Sequence, residues 1–380
     1  MKQKIAILGA GLSGLNCAKH LETLEEVEID LFEKTNRIGG RIKTDKVDGF
    51  LLDRGFQVFL PNYPEAKKCF NYQKLSLHAF KPGARIDNFY VGDPIRDPGT
   101  LLETLTAPIG SIKDKLLILK LRKEKNFGTA STTMQFLKEY GFSDKIIQQF
   151  FIPFFSGVFL NRELNNKPDF FLFLYDLFSN AKATLPDGGM EDLPKNIEKQ
   201  LHKTKILCNS NTLVKNSNTI IHEGESRQYD YVIQAHPQKA IGFNSVTTDY
   251  FFSDANELTK RIRPALSLFS KNNHINHIAP LSAVNCKYAP KGKFLFSINS
   301  LHNIEVDTIK SELQMIYPDL KMTHLKRYHV KYALPQSSEH PDENMGVYFC
   351  GDFLDTPSIN GALKSGRKTA EKIIREIESR

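Results

Sequence analysis

The chain has 380 residues, 41% of them hydrophobic and 25% charged, enough for two folded domains or one with a large insertion, and not the composition of a disordered chain. Its net charge of +8 invites an anionic partner, but the basic residues are scattered and no nucleic-acid motif accompanies them, so solvated lysine faces are expected and a nucleic-acid partner is not. Cys17, Cys69, Cys208, Cys286 and Cys350 form no C-x-x-C pair and no apolar run reaches eighteen residues, which argues against a disulfide framework, a zinc site and a membrane-spanning helix, and fits the cytoplasm.

In chain order, Ile5–Leu8 is a short apolar run ending in glycine, Leu15, Ala18 and Leu21 share a helical face, and Val27, Ile29, Leu31 and Phe32 give a second strand. Strand, helix and strand make a β-α-β unit, hence a parallel sheet. From about Pro61 to Thr184 the pattern is mostly helical, with breaks at Pro82-Gly83 and Asp93-Pro94. Strand texture returns after Leu185-Pro186-Asp187-Gly188-Gly189-Met190, in Ile206–Cys208, Thr212–Val214 and Tyr231–Ala235. Residues 241–334 read as a second, irregular block. Val347–Cys350 is then a buried strand, and Ala370, Ile373, Ile374 and Ile377 mark one face of a closing helix.

Gly9-Ala10-Gly11-Leu12-Ser13-Gly14 joins the first strand to the first helix. Gly9 permits a tight turn, Gly11 lets a pyrophosphate approach the backbone, and Gly14 allows close helix–strand packing. Free N–H groups at the helix start suit the phosphates. Glu33, followed by Lys34, ends the second strand nineteen residues past Gly14, where a carboxylate can take the ribose hydroxyls of an adenosine. In Arg37-Ile38-Gly39-Gly40-Arg41 the paired glycines let a second turn close over a diphosphate, whose charge Arg37 and Arg41 would neutralise. Leu52-Asp53-Arg54-Gly55-Phe56, running on into Gln57 and Val58, is a further glycine turn placed to line the far end of the same cofactor. A nicotinamide domain does not need the second clamp.

With these motifs in order, the first sixty residues resemble the flavin amine oxidase, protoporphyrinogen oxidase and phytoene desaturase group of FAD-dependent oxidoreductases. A third stretch is similar to that group's closing flavin motif: Gly351-Asp352 follows a strand, and Ser358-Ile359-Asn360-Gly361-Ala362-Leu363-Lys364-Ser365-Gly366-Arg367 opens the last helix. The resemblance implies an α/β fold. A Rossmann-type FAD-binding domain would be built from residues 1–60, 185–240 and 335–380, with an inserted α+β substrate domain from 61–184 and 241–334. It also implies non-covalent FAD, with Asp352 on the ribityl hydroxyls or the pyrophosphate and the N–H groups after Ser358 and Ile359 facing the flavin's N1–C2 edge. Val214 falls where members of the group hold the adenine through backbone atoms. The implied reaction is hydride removal from a small organic substrate, hydrophobic in a desaturase or protoporphyrinogen-oxidase-like enzyme, an amine in an amine oxidase. Oxygen, a quinone or another acceptor would then take the electrons. Cys350 reads as a core cysteine and not as a covalent flavin anchor. For the lysine that amine oxidases place near the flavin, Lys271, Lys287 and Lys293 all stay open; no catalytic residue and no metal ligand is assigned.

Eleven of the 27 phenylalanines fall between Phe136 and Phe178, either as core or as the wall of an apolar substrate cavity that includes Tyr140 or Tyr175. Residues 112–123 are an apolar run carrying lysines, either an ordinary helix with snorkelling side chains or a peripheral contact with an anionic membrane. His274 and His277 read as surface histidines. Two further readings remain. One is a non-catalytic lipid or prenyl-group binding protein, since the fold also resembles Rab escort proteins and GDP-dissociation inhibitors; the other is a nicotinamide dehydrogenase.

Overall fold

The computed structural model describes residues 2–237, 242–254, 262–270, 274–336 and 346–379. A five-stranded sheet, parallel throughout, has the order Tyr348–Phe349, Tyr231–Gln234, Gln3–Leu8, Val27–Phe32, Thr204–Leu207. Ile5–Leu8 and Tyr231–Gln234, at the centre of the sheet, are buried on both faces because both faces are covered there. Ile5 and Ile7 point to one side, where the helix Leu12–Leu21 and the closing helix Ile359–Glu378 pack. Ala6 and Leu8 point to the other, against Ile220 and Tyr229 beside an antiparallel meander of Thr212–Asn216, Thr219–His222 and Glu225–Gln228. The expected β-α-β unit is therefore present.

The second layer differs from the sequence expectation. Residues 241–334, read as irregular, supply five strands of a seven-stranded mixed sheet: Thr323–Pro335, Phe243–Asp254, Lys293–Ser300, His277–Ala279 and Leu266–Leu268. Gly83–Ile86 and Phe89–Gly92, from the stretch read as mostly helical, complete it. The physical reason is burial on both faces: Val246 to Phe251 are all buried, so the strand shows no alternation. Helices do fill much of 98–180, including Ile112–Leu121, Ile152–Phe159 and Pro168–Asn180.

The helix Pro64–Cys69 packs on the closing helix, where Arg367 clamps both oxygens of Glu65 at 2.8 Å. The closing helix in turn lies so close to the first that a Cβ on Gly366 would sit 2.2 Å from the Ser13 carbonyl oxygen.

Candidate functional site

The C-terminal ends of the parallel strands open into a cavity of about 1410 Å³. Every cofactor residue expected from the sequence lines it except Ala10, Gly14, Arg37, Gly55 and Val214. Ala10 instead donates its N–H to Glu33 Oε2 at 3.1 Å. Gly14 lies behind the turn, where a Cβ would meet the Gly9 carbonyl oxygen at 2.0 Å. Gly55 holds φ +92° with its Cα face toward Val330. Val214 lies on the meander, and its neighbours Thr212 and Leu213 reach the cavity in its place.

Two backbone turns make the centre of this surface. Gly9, at φ +115°, donates to the Phe32 carbonyl at 2.8 Å, and Gly39 donates to the Ala10 carbonyl at 2.8 Å. Gly40, at φ +59°, so nearly touches Gly11 that a Cβ on it would come within 3.2 Å of the Gly11 Cα. Gly11 precedes the first helix without a side-chain cap, which leaves the helix's leading N–H groups to a ligand. Beside the turns, Glu33 is buried and accepts from Thr35 N and Oγ1 at 3.0 and 2.6 Å. Lys43 donates to the same Thr35 hydroxyl, and burial lowers its ammonium pKa.

The two arginines of the second turn separate. Arg41 lines the cavity, donating to Asp352 Oδ1 and to the Ala333 carbonyl at 2.9 Å. Arg37 does not line it: its guanidinium is bound to Glu191 at 2.7 Å and to Asp45, so the expectation that it neutralises a diphosphate is corrected. Arg41→Met is expected to weaken FAD affinity roughly tenfold to a hundredfold, the range for losing one charge-assisted hydrogen bond. Titration of apoprotein with FAD measures this; unchanged affinity would remove Arg41 from the site.

Beyond the turns, Phe150, Phe154, Phe155 and Phe178 line the cavity, whereas Phe136, Phe142, Phe151 and Phe171 stack among themselves in the core. The phenylalanine-rich stretch thus serves both readings. Tyr175 is on the wall, its hydroxyl donating to the Ile118 carbonyl at 3.0 Å, and Tyr140 is not. Arg96 and Arg122 both bind Asp93, also on the wall; burial would raise that carboxyl, but the arginines hold it below its ordinary value. Lys81 and Lys182 add exposed positive charge there.

His277 is not a surface residue. It is 6% exposed, lines the cavity, packs edge-on against Phe56 at 5.0 Å between ring centres, and its Nε2 has no partner among the described residues. Burial lowers its pKa to about 4, so the ring is neutral at pH 7. A histidine in an apolar strand reads equally as surface or core; Ile275, Ile278 and Ala279 around it are the signal that places it inside. His236, two residues past the strand Tyr231–Gln234, also lines the cavity and was missed because nothing in its spacing marks it. His274 does lie at the surface, hydrogen-bonded to Glu312 at 2.5 Å, and no group of metal-binding side chains occurs among the described residues.

Cys350 is fully buried against Cys17, whose thiol pKa burial raises, and it does not line the cavity. Lys287 and Lys293 also lie off it, paired with Asp187 and Asp254; Lys271 lies outside the described residues. Asp53, below the third turn, accepts from Thr44, the Met190 N–H and Tyr288 at 2.6, 2.9 and 2.8 Å. Its burial raises the pKa to about 6 against those hydrogen bonds.

A parallel sheet ending in two facing glycine turns, with a mixed sheet and helices enclosing the space beyond them, is the architecture of a two-layer dinucleotide-binding fold. The profile of the flavin containing amine oxidoreductases matches residues 12–289, and the chain belongs to that family. It is 23% identical to protoporphyrinogen oxidase 2, chloroplastic/mitochondrial, of Arabidopsis thaliana over 165 residues, 41% of this chain and 32% of that protein. It is 44% identical to a 4,4'-diapophytoene desaturase (4,4'-diaponeurosporene-forming) of Staphylococcus aureus over 52 residues, 14% of this chain and 10% of that protein. These matches therefore span a third or less of the relatives' lengths. Among solved structures, an oxidoreductase from Methanosarcina mazei superposes with a TM-score of 0.75 at 18% identity, covering 97% of this chain and 100% of that one. That likeness shows the fold.

Proposed function

We propose that this protein is an oxidoreductase that binds FAD non-covalently and removes hydride from a hydrophobic organic substrate, as a desaturase or protoporphyrinogen oxidase does. The observation that carries this reading is the single cavity lined both by the glycine turns and by Phe150, Phe154, Phe155 and Phe178. Gly9, Gly11 and Gly40 would take the pyrophosphate, with Arg41 neutralising it, and Glu33 would take the adenosine ribose. The N–H groups following Ser358, which caps the closing helix by accepting from Gly361 N at 3.0 Å, would face the flavin. Bound there, FAD supplies the two-electron acceptor. The chain's part is to bind, orient and exclude water, with residues 1–60, 185–240 and 335–380 as the cofactor domain and the rest as the substrate domain.

The charge on the wall favours this over an amine. Lys81 and Lys182 are accompanied by a carboxylate, Asp93, already held by two arginines, so an ammonium group would meet uncompensated positive charge. Non-covalent attachment is supported by Cys350, which is buried away from the cavity.

The test is the visible spectrum of the purified protein before and after acid precipitation, followed by anaerobic mixing with polyenes, porphyrinogens and amines. We expect a flavin band that moves into the supernatant and bleaches with a polyene or porphyrinogen. A band that stays with the pellet would contradict the non-covalent reading, and bleaching by amines alone would contradict the substrate class. A colourless protein that takes up no FAD would leave lipid binding as the function.

A further inference from the structure

Two lysines on the cavity wall stand together with no opposite charge to hold. The ladder of Leu77–Ala79 with Thr184–Pro186 pairs Ala79 with Thr184, and Phe80 extends it by donating its N–H to the Ala183 carbonyl at 2.9 Å. The next residue on each strand is a lysine, so Lys81 and Lys182 lie side by side, and both line the cavity. Like charges set opposite each other across a ladder destabilise it. Neither ammonium group has a hydrogen bond or ion pair among the described residues. Glu103 is near enough to feel Lys81, but Arg263 already binds both its oxygens, at 2.7 and 2.8 Å.

The other charges at this end of the cavity are occupied. Of the carboxylates on the lining, Glu33 and Asp352 belong to the cofactor end, and Asp93 is shared by Arg96 and Arg122. Those arginines also donate to the Ala181 and Ser179 carbonyls, and Lys115 donates to the carbonyls of Leu105 and Ala107, both at 2.8 Å. Lys81 and Lys182 are left as the cations there without a partner among the described residues. Apolar surface adjoins them. Phe80 precedes Lys81 and is 6% exposed, and Phe178, edge-on to Phe154 at 5.2 Å between ring centres, lies in the last turn of the helix that ends just before Lys182. All three rings line the cavity.

We propose that Lys81 and Lys182 form an anion subsite, and that the molecule oxidised in this cavity is an apolar acid whose head group lies between the two ammonium groups and whose body runs along the phenylalanines. An oxyanion there would satisfy donors on both lysines and remove their mutual repulsion. A bare hydrocarbon would leave the repulsion in place, and an amine would add to it. That the bound acid is also the hydride donor rests on the function proposed above; the subsite does not.

The experiment is calorimetric titration of the flavin-loaded protein with decanoate, decanol and decylamine, each below its micellar concentration. It is repeated on Lys81→Gln/Lys182→Gln and on Lys113→Gln/Lys123→Gln, which removes the same charge at two exposed positions off the cavity. In low salt the wild type is expected to bind decanoate about tenfold more tightly than decanol, and decylamine most weakly, with the gap narrowing as salt is added. The first variant should bind decanoate and decanol alike, and the second should keep the wild-type gap. Decanoate bound no better than decanol by the wild type would overturn the subsite, as would a gap that survives in the first variant or is lost equally in both. Protein that takes up no FAD would sink the proposed function, while the same titrations would still decide the subsite.

Discussion

A Gly14→Val variant should be recovered without FAD and with a melting point lowered by roughly 5 °C or more. A Cβ at this position would sit 2.0 Å from the Gly9 carbonyl oxygen and 3.2 Å from the Ala235 side chain. Gly9 belongs to the turn itself and Ala235 follows the adjacent strand Tyr231–Gln234, so relief requires the first helix to move away from the sheet. The closing helix blocks that movement, since Gly366 allows it no slack against Ser13. Overpacking of this kind costs about 3 kcal/mol or more, and the displaced helix start loses its aim at the phosphates. Gly99→Ala, whose Cβ would find nothing nearer than 3.5 Å, serves as the control. Retention of flavin by Gly14→Val at wild-type melting temperature would show that the turn tolerates a gap the structure does not contain.

The second large effect is hidden in the wild type and appears in variants. Asp53 is raised from an ordinary 3.8 to about 6, and His277 lowered from 6.5 to about 4, each chiefly by burial. Between those limits folded Asp53 keeps a proton that the unfolded chain has released, so its contribution to stability falls as pH rises. Folded His277 lacks a proton that the unfolded chain holds, so its contribution rises with pH. Each is worth about 3 kcal/mol across the window, with opposite sign. Asp53→Asn should therefore gain stability with rising pH more steeply than wild type from about pH 4 to 6, and His277→Gln less steeply. Urea unfolding at several pH values measures both slopes; two variants running parallel to wild type would mean that neither group is buried as described.

What could be read from the chain was whatever a backbone turn demands locally. Gly9, Gly14 and Gly40 are needed because a side chain at each would press on neighbouring backbone, at 3.3, 2.0 and 3.2 Å, and that requirement, with Gly11 among them, is written at fixed spacing. Glu33 and Asp352 follow from the strands that end beside them. The mixed sheet was not legible, because Phe243–Asp254 finds its partners at Lys293–Ser300 and Thr323–Pro335 and is buried on both faces, which removes the alternation that marks a strand. The same ambiguity hid the direction of the leucines in Ile112–Leu121: helical spacing reveals a stripe but not whether it faces in or out. Arg37 was misread for a different reason. An arginine beside a glycine turn suits a phosphate, and only the distant Glu191 shows that its charge is already matched.

The Arg41–Asp352 pair joins positions 311 residues apart, and the central sheet draws its strands from both ends of the chain and from two segments between. During synthesis, then, the strands Gln3–Leu8 and Val27–Phe32 leave the ribosome with one neighbour each still untranslated. Their apolar faces must wait for more than three hundred residues before Tyr348–Phe349 and the closing helix arrive. Closing contacts of such long range is slow and leaves the early strands open to wrong pairing. On the proposed reading, a cofactor cradled by Gly9 and Asp352 together would enter only as one of the last steps of assembly and would act as a seal on the finished fold.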